Sequence, residues 1–310
     1  MRKALSLLFI IFSLFTFKNF VFAQPEVDAC FNFLNAGDHR KAVEAGKMAV
    51  EKYPNNPNAH LCLGISYYAI GEFRLALVHM KRAESLTSDK EDLMYIYSGI
   101  GSIYEGLGYL DDALLYYSRS LRLAIDLENE SMQATALNGI AGIYLNKGEL
   151  DKALDYYEES LSLETDEKSK ATTYNGIAII YIKKGDYQKA VKYFRKAIEI
   201  YEKYGDYHGA SQTKINLGDT YREMKDYEKA EKYLLEGLEG VKKVGDKYWE
   251  AYGYKYLGLL YRDKGDKKTA KDYLMRAYNL YKSIGAEGDA EEVLSEIQKL
   301  EKKKVAIYGG

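Results

Sequence analysis

Proline and histidine are scarce in this 310-residue chain, which has three prolines and four histidines. Proline breaks helices because it lacks a backbone N–H and clashes with the preceding turn, so its scarcity favours long helices. The chain also lacks an excess of either charge: 44 basic residues face 46 acidic ones, and the formal net charge is −2. This balance gives no reason to expect nucleic-acid binding and indicates a solvated protein surface.

The sequence also lacks a catalytic or metal-binding pattern. His39, His60, His79 and His208 are well separated, and none stands at ligand spacing from an acid or a cysteine. Two cysteines cannot complete a zinc site with them. No phosphate loop, nucleophile elbow or metalloprotease motif occurs. We therefore predict no enzymatic activity, no metal and no cofactor.

A long apolar run occurs only at the start of the chain. Arg2 and Lys3 precede the apolar segment 4–17, and small residues lead to Ala23. This order predicts a secretory signal peptide at 1–23, cleaved after Ala23, and a periplasmic or extracellular protein. The alternative is an uncleaved membrane anchor, but Lys18 leaves the run short of the roughly 20 residues that a span needs.

Export would bring Cys30 and Cys62 into an oxidising compartment, where a disulfide could form. Both fall on helices of neighbouring repeats, as shown below. The sequence does not show whether their Cβ atoms approach to bonding distance. We favour two small buried thiols over a disulfide and leave the alternative open.

One short pattern recurs seven times. An alanine stands at its centre, a tyrosine lies nine residues before this alanine in six copies, and a glycine lies five residues before it in six copies. The alanines are Ala42, Ala76, Ala113, Ala153, Ala190, Ala230 and Ala270. The tyrosines are Tyr67, Tyr104, Tyr144, Tyr181, Tyr221 and Tyr261, with Phe33 in the first copy. The glycines are Gly37, Gly71, Gly108, Gly148, Gly185 and Gly265, with Lys225 in the sixth copy.

Each of these positions has a physical role in a helical hairpin. The glycine ends a first helix in a left-handed conformation, and the Asp or Glu after it caps the second helix. The alanine lets the two helices lie close together, and the tyrosine lies on the packing face. Such a hairpin cannot bury its apolar side alone, so it stacks on its neighbours. Because Lys225 replaces the glycine, we expect the turn of the sixth copy to differ in shape.

This pattern resembles the tetratricopeptide repeat, and its forty-residue spacing is similar to the subtype of Pins/LGN-type adaptors and bacterial peptide-sensing regulators. The resemblance implies an all-α fold, an α-α superhelix of about seven hairpins over residues 24–304. The amphipathic segment from about residue 286 is expected to be a helix that caps the stack. Residues 305–310 are expected to form a loose tail.

Tyrosine is unusually frequent, with 31 residues. About half of them fall on repeat positions, so we interpret the excess as core and interface packing and not as a dedicated aromatic platform.

The resemblance also implies that the first helices line a concave groove that binds a partner. Asparagines on this face can donate and accept hydrogen bonds, so they could hold a peptide backbone; alternatively they bridge neighbouring hairpins. Groove acids offset the groove cations, so a carboxylate-clamp type of binder is not expected. The predicted groove residues are Tyr68, Tyr95, Asn138, Asn146, Asn175, Lys183, Asn216, Asp219, Arg222, Tyr252, Lys255 and Arg262.

The sequence thus predicts a non-enzymatic scaffold that binds a protein or peptide. A peptide-sensing regulatory subunit is the first alternative, and a glycan-binding module is the second. A membrane would be contacted only through an uncleaved signal peptide, and the sequence sets no oligomeric state or partner identity.

Overall fold

The computed structural model describes residues 24–163 and 166–305. The predicted signal peptide and residues 306–310 of the predicted tail lie outside the described residues, whereas Val305, the first residue of that predicted tail, belongs to the last helix. Within that part the chain forms fifteen α-helices and no strand, which confirms the all-α fold class. The helices are α1 (Pro25–Asn35), α2 (His39–Lys52), α3 (Pro57–Ala69), α4 (Phe73–Leu86), α5 (Lys90–Leu107), α6 (Leu110–Asp126), α7 (Glu130–Lys147), α8 (Leu150–Leu163), α9 (Glu167–Lys183), α10 (Tyr187–Lys203), α11 (Tyr207–Glu223), α12 (Tyr227–Lys243), α13 (Lys247–Asp263), α14 (Lys267–Ser283) and α15 (Glu287–Val305).

The chain divides after Ser169 into two compact units. The first holds four hairpins, α1–α2 to α7–α8, and consecutive helices in it pack against one another. The second holds three hairpins, α9–α10 to α13–α14, followed by α15, which packs on α14. The odd-numbered helices from α1 to α13 are the first helices of their hairpins. No helix in the described ranges is long and apolar enough to cross a membrane.

Aspartates begin the second helices as the repeat predicts. The side chains of Asp38, Asp186, Asp226 and Asp266 each accept a hydrogen bond from the backbone N–H three residues further on. Such a cap satisfies one of the unpaired donors at a helix start. Glu72 stands at the same place before α4 but makes no capping bond. Aspartate is therefore the residue that caps these helices.

The turn at Lys225 has the same shape as the glycine turns, so the expectation of a different turn was wrong. Lys225 adopts φ +63°, close to the +78° of Gly185. Its backbone N–H donates to Arg222 O at 2.9 Å, and the next N–H, from Asp226, donates to Tyr221 O at 3.0 Å. The helices on both sides fix the turn, and the lysine is forced into the left-handed region.

The central alanine of every repeat is fully buried, with an exposed fraction of 0% in all seven copies. Small residues of the facing helix close the contact: a Cβ added to Gly258 would lie 2.6 Å from Leu274 Cγ and 3.2 Å from Ala270 O. The two helices of a hairpin therefore pack at backbone contact, and a larger residue would push them apart.

The repeat tyrosines form ring pairs inside the hairpins. In five copies, the first-helix tyrosine contacts a second-helix tyrosine twelve residues later, with ring centroids 5.4 to 5.6 Å apart. In the second copy, His79 takes that place against Tyr67 at 5.7 Å. The tyrosines at these positions are packing residues, as the sequence predicts.

Cys30 and Cys62 form a disulfide, so the preference for two thiols was wrong. Their Cα atoms lie 6.3 Å apart, and both side chains are fully buried. The bond joins α1 to α3, the first helices of the first two hairpins. Repeat packing places these two positions side by side, which the linear sequence does not display.

The end of the second unit is closed by α15. Ala290, Val293, Ile297 and Leu300 are buried on one face, in a cluster with Leu274 and Tyr281 of α14. This apolar stripe at three- and four-residue spacing is what a terminal helix needs in order to cover the last hairpin.

Candidate partner-binding site

All twelve predicted groove residues lie on first helices. The first unit carries Tyr68 on α3, Tyr95 on α5, and Asn138 and Asn146 on α7. The second unit carries Asn175 and Lys183 on α9, then Asn216, Asp219 and Arg222 on α11, and Tyr252, Lys255 and Arg262 on α13. The repeat register therefore places them on equivalent elements, while their exposure and bonding differ.

In the first unit most of these side chains are buried. Tyr68, Tyr95 and Asn138 have exposed fractions of only 4 to 5%. Asn146 is exposed, and its Nδ2 donates to Glu105 Oε1 at 3.3 Å. Asn146 is thus the exposed residue among the four predicted in the first unit, and it is hydrogen-bonded to the more buried carboxylate of Glu105.

Glu105 is a functional candidate on first helix α5 that is not among the twelve predicted groove residues. Its Oε2 accepts from Tyr117 Oη at 3.2 Å, and Tyr117 Oη also lies 2.9 Å from Ser102 Oγ. Burial raises the pKa of Glu105 to about 7, although the hydrogen bonds from Tyr117 and Asn146 oppose the shift. Within residues 24–163 and 166–305, no Lys or Arg nitrogen forms an ion pair with it.

Arg222 organises an ion network in the second unit. Its Nε lies 2.8 Å from Asp219 Oδ1 and its Nη1 lies 2.6 Å from Asp263 Oδ2, while Nη2 contacts Glu223. Burial works against the charge, but these carboxylates together raise the pKa of Arg222. Burial also raises the pKa of Asp219 to about 6, against the effect of Arg222. The guanidinium is thus charged and saturated with acceptors from its own chain.

Two of the other three predicted cations of this unit are paired with α15. Lys255 Nζ lies 2.7 Å from Glu292 Oε1, and Arg262 Nη1 lies 2.5 Å from Glu296 Oε2. Arg262 also contacts Asp263 at 2.8 Å. These cations therefore hold the last helix against the hairpins, and only Lys183 among the predicted cations is an exposed side chain on its helix.

Three polar side-chain atoms on first helices are buried without a partner in the described part of the chain: Asn175 Oδ1 in the second unit, and Glu26 Oε2 and Ser98 Oγ in the first. Asn175 and Ser98 stand fifteen positions before the central alanine of their copies, as Asn138 does. An unpaired buried acceptor costs about 1–3 kcal/mol, so these sites are ready to receive a donor.

An aromatic stripe on α13 completes the second unit's face. The rings of Trp249 and Tyr252 are 4.8 Å apart, and those of Tyr252 and Tyr256 are 4.6 Å apart, both edge to face. All three are partly exposed. Their spacing of three and four residues in the sequence indicates one helix face. The sequence prediction included only Tyr252 of the three, because it assigned most tyrosines to packing positions of the repeat.

In residues 24–163 and 166–305, no three His, Cys, Asp or Glu side chains stand close enough together to hold a metal ion. His60 Nδ1 and His79 Nδ1 do approach to 3.0 Å, and His60 Nε2 lies 3.0 Å from Pro54 O. These contacts describe a hydrogen-bonded imidazole pair inside the second hairpin.

The tetratricopeptide repeat model matches residues 92–166, 132–203, 169–243 and 209–283. No curated protein matches this sequence. The matched segments overlap and together extend from the third hairpin to the seventh.

Solved structures with the same fold include three that the chain matches over most of its length. The Cut9 and Hcn1 assembly of the APC/C is 19% identical with a TM-score of 0.67; the match covers 86% of this chain and 48% of that one. A Rap protein complexed with competence and sporulation factor is 16% identical, with a TM-score of 0.62 and coverage of 90% and 97%. The Rap conjugation regulator of plasmid pLS20, complexed with the Phr* peptide, is 19% identical, with a TM-score of 0.66 and coverage of 86% and 75%. This chain thus spans about half the length of the Cut9–Hcn1 chain.

Proposed function

We propose, from the premise that this chain belongs to the tetratricopeptide repeat family, that it is a non-enzymatic scaffold that binds a segment of a partner protein along its first helices. The segment would be an extended peptide or a helix. Family membership supports a protein-interaction role, since the fold offers long helical faces and repeats a packing pattern instead of a catalytic one.

The observation that carries this proposal is the unpaired Asn175 Oδ1 on α9. The Asn175 side chain is partly exposed while its Oδ1 is buried, so the carboxamide would have to rotate outward to accept a hydrogen bond from a peptide N–H. Because a bond of that kind reads the backbone and not a side chain, it suits a scaffold that must hold a segment in register.

A peptide-sensing regulatory subunit is the second candidate. It is favoured by the two Rap structures, which were solved with a competence and sporulation factor and with the Phr* peptide. Their identity to this chain is below 20%, so they support the architecture, and the peptide ligand remains part of the proposal. A regulator would also change its conformation on binding, whereas a scaffold would not.

We also propose that the protein works outside the cytoplasm, after cleavage behind Ala23. The N-terminal sequence supports export, and the Cys30–Cys62 disulfide is the kind of bond that oxidising compartments maintain. The test is to isolate the protein from its native cells, determine the first residue of the mature chain and titrate free thiols. An N-terminus at Gln24 without free thiols is expected, and an intact Met1 would contradict export.

The binding proposal is tested by site-specific photo-crosslinking. The photoreactive residue is placed at Asn146 or Lys183, which are exposed on first helices, and for control at Asn279, which is exposed on the second helix α14. Cross-linked partner peptides are expected from the first two positions in native cells and not from the third. Equal yields from all three positions would contradict binding along the first helices.

The role of Asn175 has its own variant pair. Asn175→Ala is expected to weaken partner retention about tenfold, which corresponds to the loss of one buried hydrogen bond. Asn279→Ala, in the same unit, is expected to change nothing. Unchanged retention by Asn175→Ala would remove the proposed backbone contact.

A further inference from the structure

Glu105 is the only acid at its position in the repeat. This position directly follows the first-helix packing residue in each copy. Its occupants are Leu34, Tyr68, Glu105, Leu145, Ile182, Arg222 and Arg262. The two arginines are neutralised by carboxylates of their own unit. Glu105 has no such counter-charge among the described residues.

The surroundings of Glu105 consist of neutral hydrogen-bonding groups from several helices of the first unit. Tyr117 of α6 donates to one carboxylate oxygen and Asn146 of α7 donates to the other. Burial and then the charge of Glu105 raise the pKa of Tyr68 on α3 and of Tyr157 on α8, so both phenols lie within its electric field. The Tyr157 hydroxyl makes no hydrogen bond to any described residue.

A gap beside the carboxylate is kept open by Gly142 on α7. A Cβ built there would lie 3.5 Å from Glu105 Oε1 and 3.9 Å from Tyr157 Oη. These are ordinary contact distances, so an alanine would fit without a clash and would occupy the space between the two oxygens. The glycine therefore leaves room for a small group at this point.

We propose that this site, formed by Glu105, Tyr157, Tyr68 and Gly142, binds the ε-ammonium group of a lysine in the partner peptide. The proposal rests on the proposed function and adds the chemistry of one residue of the partner. Charge complementarity carries it, because a partly buried carboxylate without a cation is unfavourable until a cation arrives.

Lysine fits this site better than arginine. An ammonium is a compact charge with three donors, and the Glu105 carboxylate and the Tyr157 oxygen offer acceptors around it. The site also lies between side chains of α3 and α7, inside a run of first helices in the first unit. A bound segment would pass through it, so an internal lysine suits it better than a chain terminus does.

The charge balance makes binding depend on pH. Tyr68, Tyr117 and Tyr157 face Glu105 and stay neutral below pH 9, because burial raises the pKa of each of them. Glu105 is thus the group that titrates near neutrality, since its pKa is raised to about 7. Binding of an ammonium is expected to strengthen from pH 6 to pH 8 and then level off.

The test uses chain 24–310 and Nα-acetyl-lysine methylamide as the probe. Carbon-13 NMR of labelled glutamate carboxyls is recorded at pH 8, with the Glu105 signal assigned by its loss in Glu105→Gln. A saturable shift at Glu105 is expected, at least tenfold weaker for the Nε-acetyl analogue. Gly142→Ala, which keeps the charge and fills the gap, is expected to weaken binding at least fivefold. Thermal unfolding of both variants confirms that they fold.

Several outcomes would overturn the lysine site. One is equal affinity for the Nε-acetyl analogue or for the arginine analogue of the probe. Another is equal affinity for alanine methylamide, which carries a terminal ammonium. The last is unchanged binding of the probe by the Gly142→Ala variant. If photo-crosslinks still map to Asn146 and Lys183, the scaffold proposal stands without the site. If the probe binds but no crosslinks form at those positions, the scaffold proposal fails and the lysine site stands.

Discussion

Lys225 is a residue whose backbone conformation does not suit its side chain. At φ +63° it takes the place of a glycine, and a left-handed conformation costs residues with a Cβ about 1–2 kcal/mol. About half of this stabilisation is lost in Lys225→Gly, because glycine increases the conformational entropy of the unfolded chain. We predict that Lys225→Gly raises the free energy of unfolding by about 0.5–1 kcal/mol.

The measurement for Lys225→Gly is denaturant unfolding followed by circular dichroism. Lys225→Ala is the control, since alanine keeps the Cβ and is expected to give no gain. A stabilisation of the same size in both variants would mean that the lysine side chain, and not its backbone angle, is responsible.

Glu105 is expected to make stability depend on pH in the direction opposite to that of a salt-bridged acid. Its folded-state pKa is raised from 4.5 to about 7, so the folded protein holds its proton more tightly than the unfolded chain does. The contribution of Glu105 to the free energy of unfolding is therefore highest below pH 4.5 and falls as pH rises to about 7. We predict that Glu105→Gln stabilises the protein by about 1–3 kcal/mol at pH 8 and has little effect at pH 4.

Urea denaturation of both proteins at pH 4, 6 and 8 checks the Glu105 prediction. The difference between the wild type and Glu105→Gln should grow across that series. A constant difference would mean that the substitution acts through packing and not through the carboxylate charge.

At the scale of one helix, α7 offers two glycines three residues apart with opposite expected behaviour. A Cβ on Gly139 would lie 2.5 Å from Tyr117 Cε1, whereas the nearest atom to a Cβ on Gly142 is 3.5 Å away. Because the Tyr117 ring is fully buried and cannot retreat, Gly139→Ala should destabilise the first unit by about 1–3 kcal/mol.

Gly142→Ala is the matched control on the same helix, because it adds the same methyl group without a clash. It should be neutral or stabilising by up to about 1 kcal/mol, the helix propensity difference between the two residues. Thermal melts of the two variants compare them. Equal melting temperatures would show that Tyr117 has space that the structure does not display.

The disulfide acts on elements α1 and α3. It closes a segment of 32 residues, and the chain-entropy model gives such a cross-link about 3–4 kcal/mol. We predict that the double variant Cys30→Ala/Cys62→Ala lowers hydrogen-exchange protection in α1 and α3 and leaves α13 unchanged. Equal loss of protection in all three helices would mean that the bond stabilises the whole chain and not its first hairpins.

At the scale of the whole molecule, the repeat made the fold predictable and the site only in part. Tyrosine, glycine and alanine at fixed spacing define each hairpin, and their roles follow from helix geometry alone. The helix that carries each candidate residue was predicted from the same register. The sequence did not predict which acid forms an ion pair with each groove cation, because Arg222 pairs with Asp263, 41 residues away. Such pairs depend on how one hairpin is rotated on the next, which the sequence pattern leaves undefined.

Trp249 is the only tryptophan among the 42 Phe, Tyr and Trp residues of the chain, of which 10 are Phe and 31 are Tyr. It is partly exposed on first helix α13 and touches Tyr252. Excitation at 295 nm therefore selects a single built-in fluorophore on the candidate binding face of the second unit. A ligand that docks there should shift its emission without any label, and one that binds only beside Glu105 should leave it unchanged.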